Sequence, residues 1–125
     1  RPYGSVWIDK PTEVMQDSTA DVMALYAAGG FEIDEEFREL PDHVAAELEF
    51  LYLLTFRALQ ARAGADGAAL AEANALRSRL LTEHLSAWST PFTNAVSAGA
   101  QTAFYRTLAA LTDAYLQMEA AAPAV

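Results

Sequence analysis

The 125-residue chain contains no cysteine, which excludes disulfides, thiolate nucleophiles and cysteine-based zinc sites. It has only two histidines, a thin supply for a metal centre that needs three or four converging ligands. Basic residues are scarce too: eight Lys plus Arg stand against 17 Asp plus Glu, a formal net charge of -9. A field of that sign repels nucleic-acid phosphates and anionic lipid and favours basic partners. Plain solubility is the alternative reading of the same charge. No apolar run approaches the ~20 residues needed to span a bilayer. No basic stretch followed by an apolar one marks a secretory signal within these residues. Strand-like alternation is missing outside "GSVWI", and no internal repeat is visible. The chain opens at Arg1 in "RPYGSVWID", which reads as the middle of a longer element, so an upstream part is expected.

What is present is helical patterning. Pro2, Gly4 and Pro11 punctuate residues 1–17, which read as an irregular or extended lead-in with "SVWI" as an apolar lid. "DSTADVMALYAAGG" predicts a helix capped by Ser18 or Thr19, with Val22, Leu25 and Tyr26 on one face and Gly29-Gly30 as the stop. "FEIDEEFRELPDH" is a polar connector anchored by Phe31, Ile33 and Phe37. Pro41 disfavours helix at Leu40, so the next helix is expected near Asp42, which either caps it or sits in its first turn. Apolar residues at 44, 48, 50–54, 56 and 59 cover most of that helix's circumference, which predicts a central position buried on several sides. After a turn at 63–67, a fourth segment places Leu70, Leu76 or Ala73, Leu80 and Leu81 inward and Arg77, Arg79 and Glu83 outward. "STP" at 89–91 is expected to break it, with Ser89 capping a short helix that carries Phe92 and Val96. The last helix bears Phe104, Leu108, Leu111, Tyr115 and Met118 at spacings of 4, 3, 4 and 3. The tail "AAPAV" is expected to fray. The fold class is all-α, one domain over residues 1–125.

Three kinds of chemistry are open to these residues. His43 and Glu47 stand at i, i+4, and His84 and Asp42 are available as further ligands, yet no His-Glu-x-x-His or Glu-x-x-His pattern accompanies them. Asp42 and His43 are adjacent, but no nucleophile elbow occurs, and Gly29-Gly30 lacks the Lys-Ser/Thr of a phosphate loop. Binding has more support. Pro2, Tyr3, Trp7, Leu40 and Pro41 offer apolar surface, while Glu39, Asp42, His43, Glu47 and the run Asp34-Glu35-Glu36 bring polar and mainly acidic groups beside it. An apolar groove with an acidic rim complements a peptide in which arginines precede an apolar stretch. The competing reading makes Tyr3 and Trp7 core aromatics and the acids a solvated face of a structural or oligomerising domain.

Three collinear segments then carry a resemblance. "PYGSVWID", the element Glu39-x-Pro41-Asp42-His43 with "ELEFLYLL" after it, and "LLTEHLSAWSTPFTNAV" with His84, Leu85, Trp88 and Phe92 resemble the TorD/DmsD/NarJ family of twin-arginine (Tat) proofreading chaperones. "FYRTLAALTDAYL" is similar to that family's last helix. The likeness is greatest to the DmsD-like and TorD-like branches. It implies an all-helical cytoplasmic chaperone, not an enzyme and with no cofactor of its own. Such a protein binds the twin-arginine signal peptide of a molybdopterin-containing oxidoreductase subunit. It holds that apo-subunit until cofactor insertion, before export. The resemblance assigns peptide binding to Pro41, Asp42 and His43 and to Pro2, Tyr3 and Gly4, with Trp7 in support and Glu39, Leu40 and Glu47 beside them. DmsD-like members commonly carry Trp where Tyr3 stands. Members also carry further helices ahead of "PYGSVW", so this chain is expected to be the C-terminal part of such a protein. A homodimer formed by helix exchange is expected to cover the face so exposed.

Overall fold

A computed structural model of the chain describes residues 1–9, 13–122 and 124–125. Among the described residues six α-helices follow one another: α1 (Gly4–Ile8), α2 (Asp17–Ala28), α3 (Val44–Ala63), α4 (Gly67–Arg79), α5 (Ser86–Gly99) and α6 (Ala103–Ala121). A π-helical turn, Leu80–Leu85, joins α4 to α5. The all-α expectation holds. Pro11 lies outside the described residues.

Helix α2 starts one residue ahead of Ser18, and neither Ser18 nor Thr19 caps it. Asp9 does that work from a distance, accepting the backbone N–H of Ser18 at 3.2 Å. The helix buries Val22, Leu25 and Tyr26, as their i, i+3, i+4 spacing requires. It stops at Gly29 and Gly30, the latter at φ +65, where a side chain would be strained. Gly29 has a second reason to be glycine. A Cβ there would sit 2.7 Å from the Phe50 ring. That ring forms a tight cluster with Tyr26 and Phe31, with centroids 5.0–5.3 Å apart.

Helix α3 is the post of the core. Phe50, Leu51, Leu54 and Ala58 are buried along it, each large side chain contributing ~1.5–3 kcal/mol. It is not buried all round: Tyr52, Phe56 and Leu59 form an exposed edge, because α4 covers one flank and no described element covers the other. Helices α3 and α4 form one hairpin, and α5 and α6 form a second. The π-helical turn sits where they meet. It touches every helix of the bundle and buries Leu80, Leu81 and Leu85 almost completely.

Several sequence expectations are corrected here. The lead-in is not extended throughout, because Gly4–Ile8 coils into α1. The break in the long helical segment lies at 80–85, not at "STP". Helix α5 runs through Pro91, whose exposed ring faces solvent and whose missing N–H costs one helical bond. Ser89 caps nothing; it is buried, with its hydroxyl directed at the Asp113 carboxylate. Arg77 points inward, not outward. Its Nε donates to Thr55 Oγ1 at 2.9 Å and its guanidinium pairs with Glu119 of α6, which stitches α3, α4 and α6 together. The tail is docked at its end, where the Val125 N–H donates to Asn74 at 3.0 Å.

Candidate functional site

The site is built on the turn before α3. The N–H of His43 closes it by donating to the Leu40 carbonyl at 3.0 Å. Beside it, Tyr3 and His43 pair as an isolated antiparallel bridge. Its bonds run from Gly4 N to the Asp42 carbonyl (2.9 Å) and from Val44 N to the Pro2 carbonyl (2.8 Å). Residues 2–8 are thereby strapped across the mouth of α3.

Asp42 is the buckle. Its side chain is 1% exposed, and Oδ2 accepts the Ser5 N–H at 2.8 Å. This N–H lies at the start of α1, where no helical carbonyl is available to it. Asp42 therefore serves α1 and does not cap α3. That role falls to His43, whose Nδ1 accepts the Ala45 N–H at 3.0 Å. The His43 ring packs edge-on against Tyr3 and Phe37. The Tyr3 hydroxyl donates to the Glu39 carboxylate, and that bond holds the Tyr3 pKa above its ordinary value.

Beneath the strap lies a second buried acid. Glu47 is 1% exposed and accepts from Trp88 Nε1 at 3.1 Å. Gly4 lets the strap lie directly on this pair, since a Cβ there would be 3.1 Å from both Glu47 Oε1 and Trp88 Nε1. Burial pushes the Glu47 carboxyl up to about 8; the Trp88 bond opposes this, and the nearby Asp42 charge adds to it. Glu47 is thus a neutral acid at pH 7. The outer end of the strap is held by rings. Trp7 donates through Nε1 to the Arg1 carbonyl at 2.8 Å and leans on Phe92, which leans on Trp88.

On the other side of Glu39 a cleft of about 610 Å³ opens between α2 and the connector. Met23, Tyr26, Phe31, Ile33 and Pro41 make its walls apolar, and Glu32 and Glu39 stand among them. The Tyr26 hydroxyl donates to the Pro41 carbonyl at 2.7 Å and so ties α2 to the turn. Burial raises the pKa of that hydroxyl, which keeps it a neutral donor. Asp34, Glu35 and Glu36 follow along the exposed connector. The arrangement suits recognition: apolar walls for apolar side chains, carboxylates for cations. Among the described residues, no three His, Cys, Asp or Glu side chains gather as a metal would need.

The structure sorts the sequence candidates into two groups. Pro2, Tyr3, Trp7, Leu40, Pro41 and His43 are partly accessible and Glu39 is exposed, whereas Gly4, Asp42 and Glu47 are buried under the strap. Glu39 and Pro41 line the cleft; Gly4, Asp42 and Glu47 shape the turn beside it. Sequence reasoning missed Met23, Tyr26, Phe31 and Ile33 as cleft residues. The signal available was the pairing of an apolar α2 face with the connector's Phe31 and Ile33 anchors.

Against models of known families, residues 1–94 match the one described as nitrate reductase delta subunit. No curated protein and no solved structure gives a significant match.

Proposed function

From the premise that this chain belongs to the nitrate reductase delta subunit family, the TorD/DmsD/NarJ chaperones, we propose that it binds the twin-arginine signal peptide of a molybdoenzyme subunit on the cytoplasmic side and holds that subunit until its cofactor is inserted. The family's role is chaperoning in redox-enzyme maturation, and it is not a catalytic one.

One observation carries it: an apolar cleft with Glu32 and Glu39 among its walls adjoins the Pro41-Asp42-His43 turn. In this reading the apolar stretch of the peptide lies along Met23, Tyr26, Phe31, Ile33 and Pro41. Its arginines meet Glu39, Glu32 and the 34–36 acids. Burial of apolar side chains at ~25 cal/mol per Å² supplies most of the affinity. The exposed ion pairs add ~0–1 kcal/mol each and set direction. Pro2, Tyr3, Trp7, Leu40 and His43 form the accessible border on the strap side. Gly4, Asp42 and Glu47 act from beneath, by holding strap and turn in place.

The test is calorimetry with a twin-arginine signal peptide and its Lys-Lys counterpart. Glu39→Gln and Phe31→Ala are expected to weaken binding of the Arg-Arg peptide with helical content unchanged, and the Lys-Lys peptide to bind less well. Equal affinity for both peptides, or no effect of either substitution, would return the cleft to the role of a plain structural groove.

A further inference from the structure

Two carboxyl groups close on the same stretch of the strap from below. The Gly4 N–H donates to the Asp42 carbonyl at 2.9 Å, and the Ser5 N–H donates to Asp42 Oδ2 at 2.8 Å. A Cβ on Gly4 would lie 3.1 Å from Glu47 Oε1. Asp42 and Glu47 are thus set against one residue pair, and each is 1% exposed. Their oxygens are unequally served. Asp42 Oδ2 has the Ser5 N–H, and Glu47 Oε2 has Trp88 Nε1. Asp42 Oδ1 is buried with no hydrogen-bond partner among the described residues. A buried carboxylate oxygen left unserved is costly. The group that serves it must bring a proton, and a neutral glutamic acid has one to give.

We propose that Asp42 and Glu47 hold one proton between them beneath Gly4, the Glu47 hydroxyl donating to Asp42 Oδ1, and that this acid pair latches the strap of residues 2–8 over the mouth of α3. A hydroxyl bonded to a carboxylate is a strong hydrogen bond, because its acceptor is charged. With the proton in place the pair carries a single negative charge, which the Ser5 N–H faces. Without it, two like charges share a site that excludes water, and relief comes from admitting water. The strap is the side that can lift. Glu47 is fixed within α3, and the turn that holds Asp42 is tied by the Tyr26 hydroxyl and the Leu40 carbonyl.

The surroundings offer the proton no other keeper. Helix α5 contributes Trp88, a donor that does not titrate. Helix α2 contributes the Tyr26 hydroxyl, which burial, Glu47 and Asp42 together keep neutral. Tyr3, on the strap itself, turns its hydroxyl to Glu39. His84, on the π-helical turn, answers to Glu83, Asp21 and Arg79 and not to this pair. Among the described residues no cation acts on Glu47, and Asp42 is the one charge that does. A lifted strap also takes Tyr3 away from Glu39, a carboxylate of the cleft. The latch needs no peptide in the cleft and so goes beyond the proposed binding role.

Infrared spectroscopy and amide exchange on the whole chain test it. In heavy water at pH 6 the wild-type protein is expected to show a carboxylic-acid carbonyl band that Glu47→Gln removes. Asp42→Asn keeps the Ser5 contact through its amide oxygen and offers an N–H to Glu47. Its acid band should therefore vanish at a lower pH than the wild-type band. For the strap, the Ser5 amide should exchange by local opening, faster than the amide of Leu54 in the core of α3. Ser5 protection, taken relative to Glu47→Gln, should fall by up to about tenfold per pH unit from pH 6 to 8, as for an opening that releases one proton. Circular dichroism should show unchanged helical content in both variants. A wild-type protein without the acid band, an Asp42→Asn band that vanishes at the wild-type pH, or Ser5 protection that equals that of Leu54 or runs parallel in wild type and Glu47→Gln would each overturn the latch.

Discussion

Replacing Glu47 by Gln separates the buried acid from its charge with little change in shape. Trp88 Nε1 still finds a carbonyl oxygen to donate to, and the Gly4 contact keeps its atoms. In the wild-type protein the folded state holds the Glu47 proton up to about pH 8, whereas the unfolded chain gives it up near 4.5. The folded state therefore binds more protons between these values, and stability falls as pH rises through that window. The slope is about 1.4 kcal/mol for each pH unit, and the whole window is worth on the order of 5 kcal/mol. His84 acts in the opposite sense lower down. Burial lowers its pKa, so below 6.5 the unfolded chain takes up a proton that the folded chain refuses, and stability falls as pH falls. Just below 6.5 the two slopes oppose each other, and Glu47 acts alone from 6.5 to 8. Urea denaturation of both proteins at pH 5, 6, 7 and 8 measures the difference. The slope flattens near the folded pKa, so the change from pH 7 to 8 is about 1 kcal/mol; with m of ~1–3 kcal/mol per M, the wild-type midpoint should drop by roughly 0.3–1 M over that unit. The Gln variant should stay level there and be the more stable of the two at pH 8. Parallel midpoint curves for the two proteins would refute a neutral buried Glu47.

Further substitutions test the packing. Gly29→Ala places a methyl against the Phe50 ring at 2.7 Å and is expected to destabilise by ~1–3 kcal/mol, read from the thermal or urea midpoint. Arg77→Leu removes the cation between Thr55 and Glu119; a loss of ~1–3 kcal/mol is expected, recovered in part by adding Glu119→Leu, since a buried pair replaced on both sides costs less than one broken on one side.

Helix existence and type were legible from the chain because they depend on local patterning. The α2 face, the Gly29-Gly30 stop and the start of α3 just after Pro41 came from periodicity and backbone chemistry alone. What failed depended on neighbours. Taken locally, Pro91 marks a break, since proline costs one hydrogen bond and a clash, yet the bundle holds α5 around it. Arg77 is expected to face outward because charge prefers water, yet Glu119 arrives from 42 residues away to pair with it. Asp42 stands where a helix starts, which points to a cap or a place in the first turn of α3. In the structure it neither caps α3 nor lies in its first turn: it turns to the N–H of Ser5, 37 residues distant, and His43 takes the cap.

The sequence by itself determined an all-α chain, an acidic surface, the strap-and-turn segments that mark its family, and a heptad stripe on its last helix. Only the tertiary structure decided which side of each element faces in. It buried Asp42, Glu47 and Arg77, and it left Phe104, Leu111 and Met118 in water. The reason is physical: periodicity states how residues are spaced around a helix, but burial is a property of what the other helices place against it.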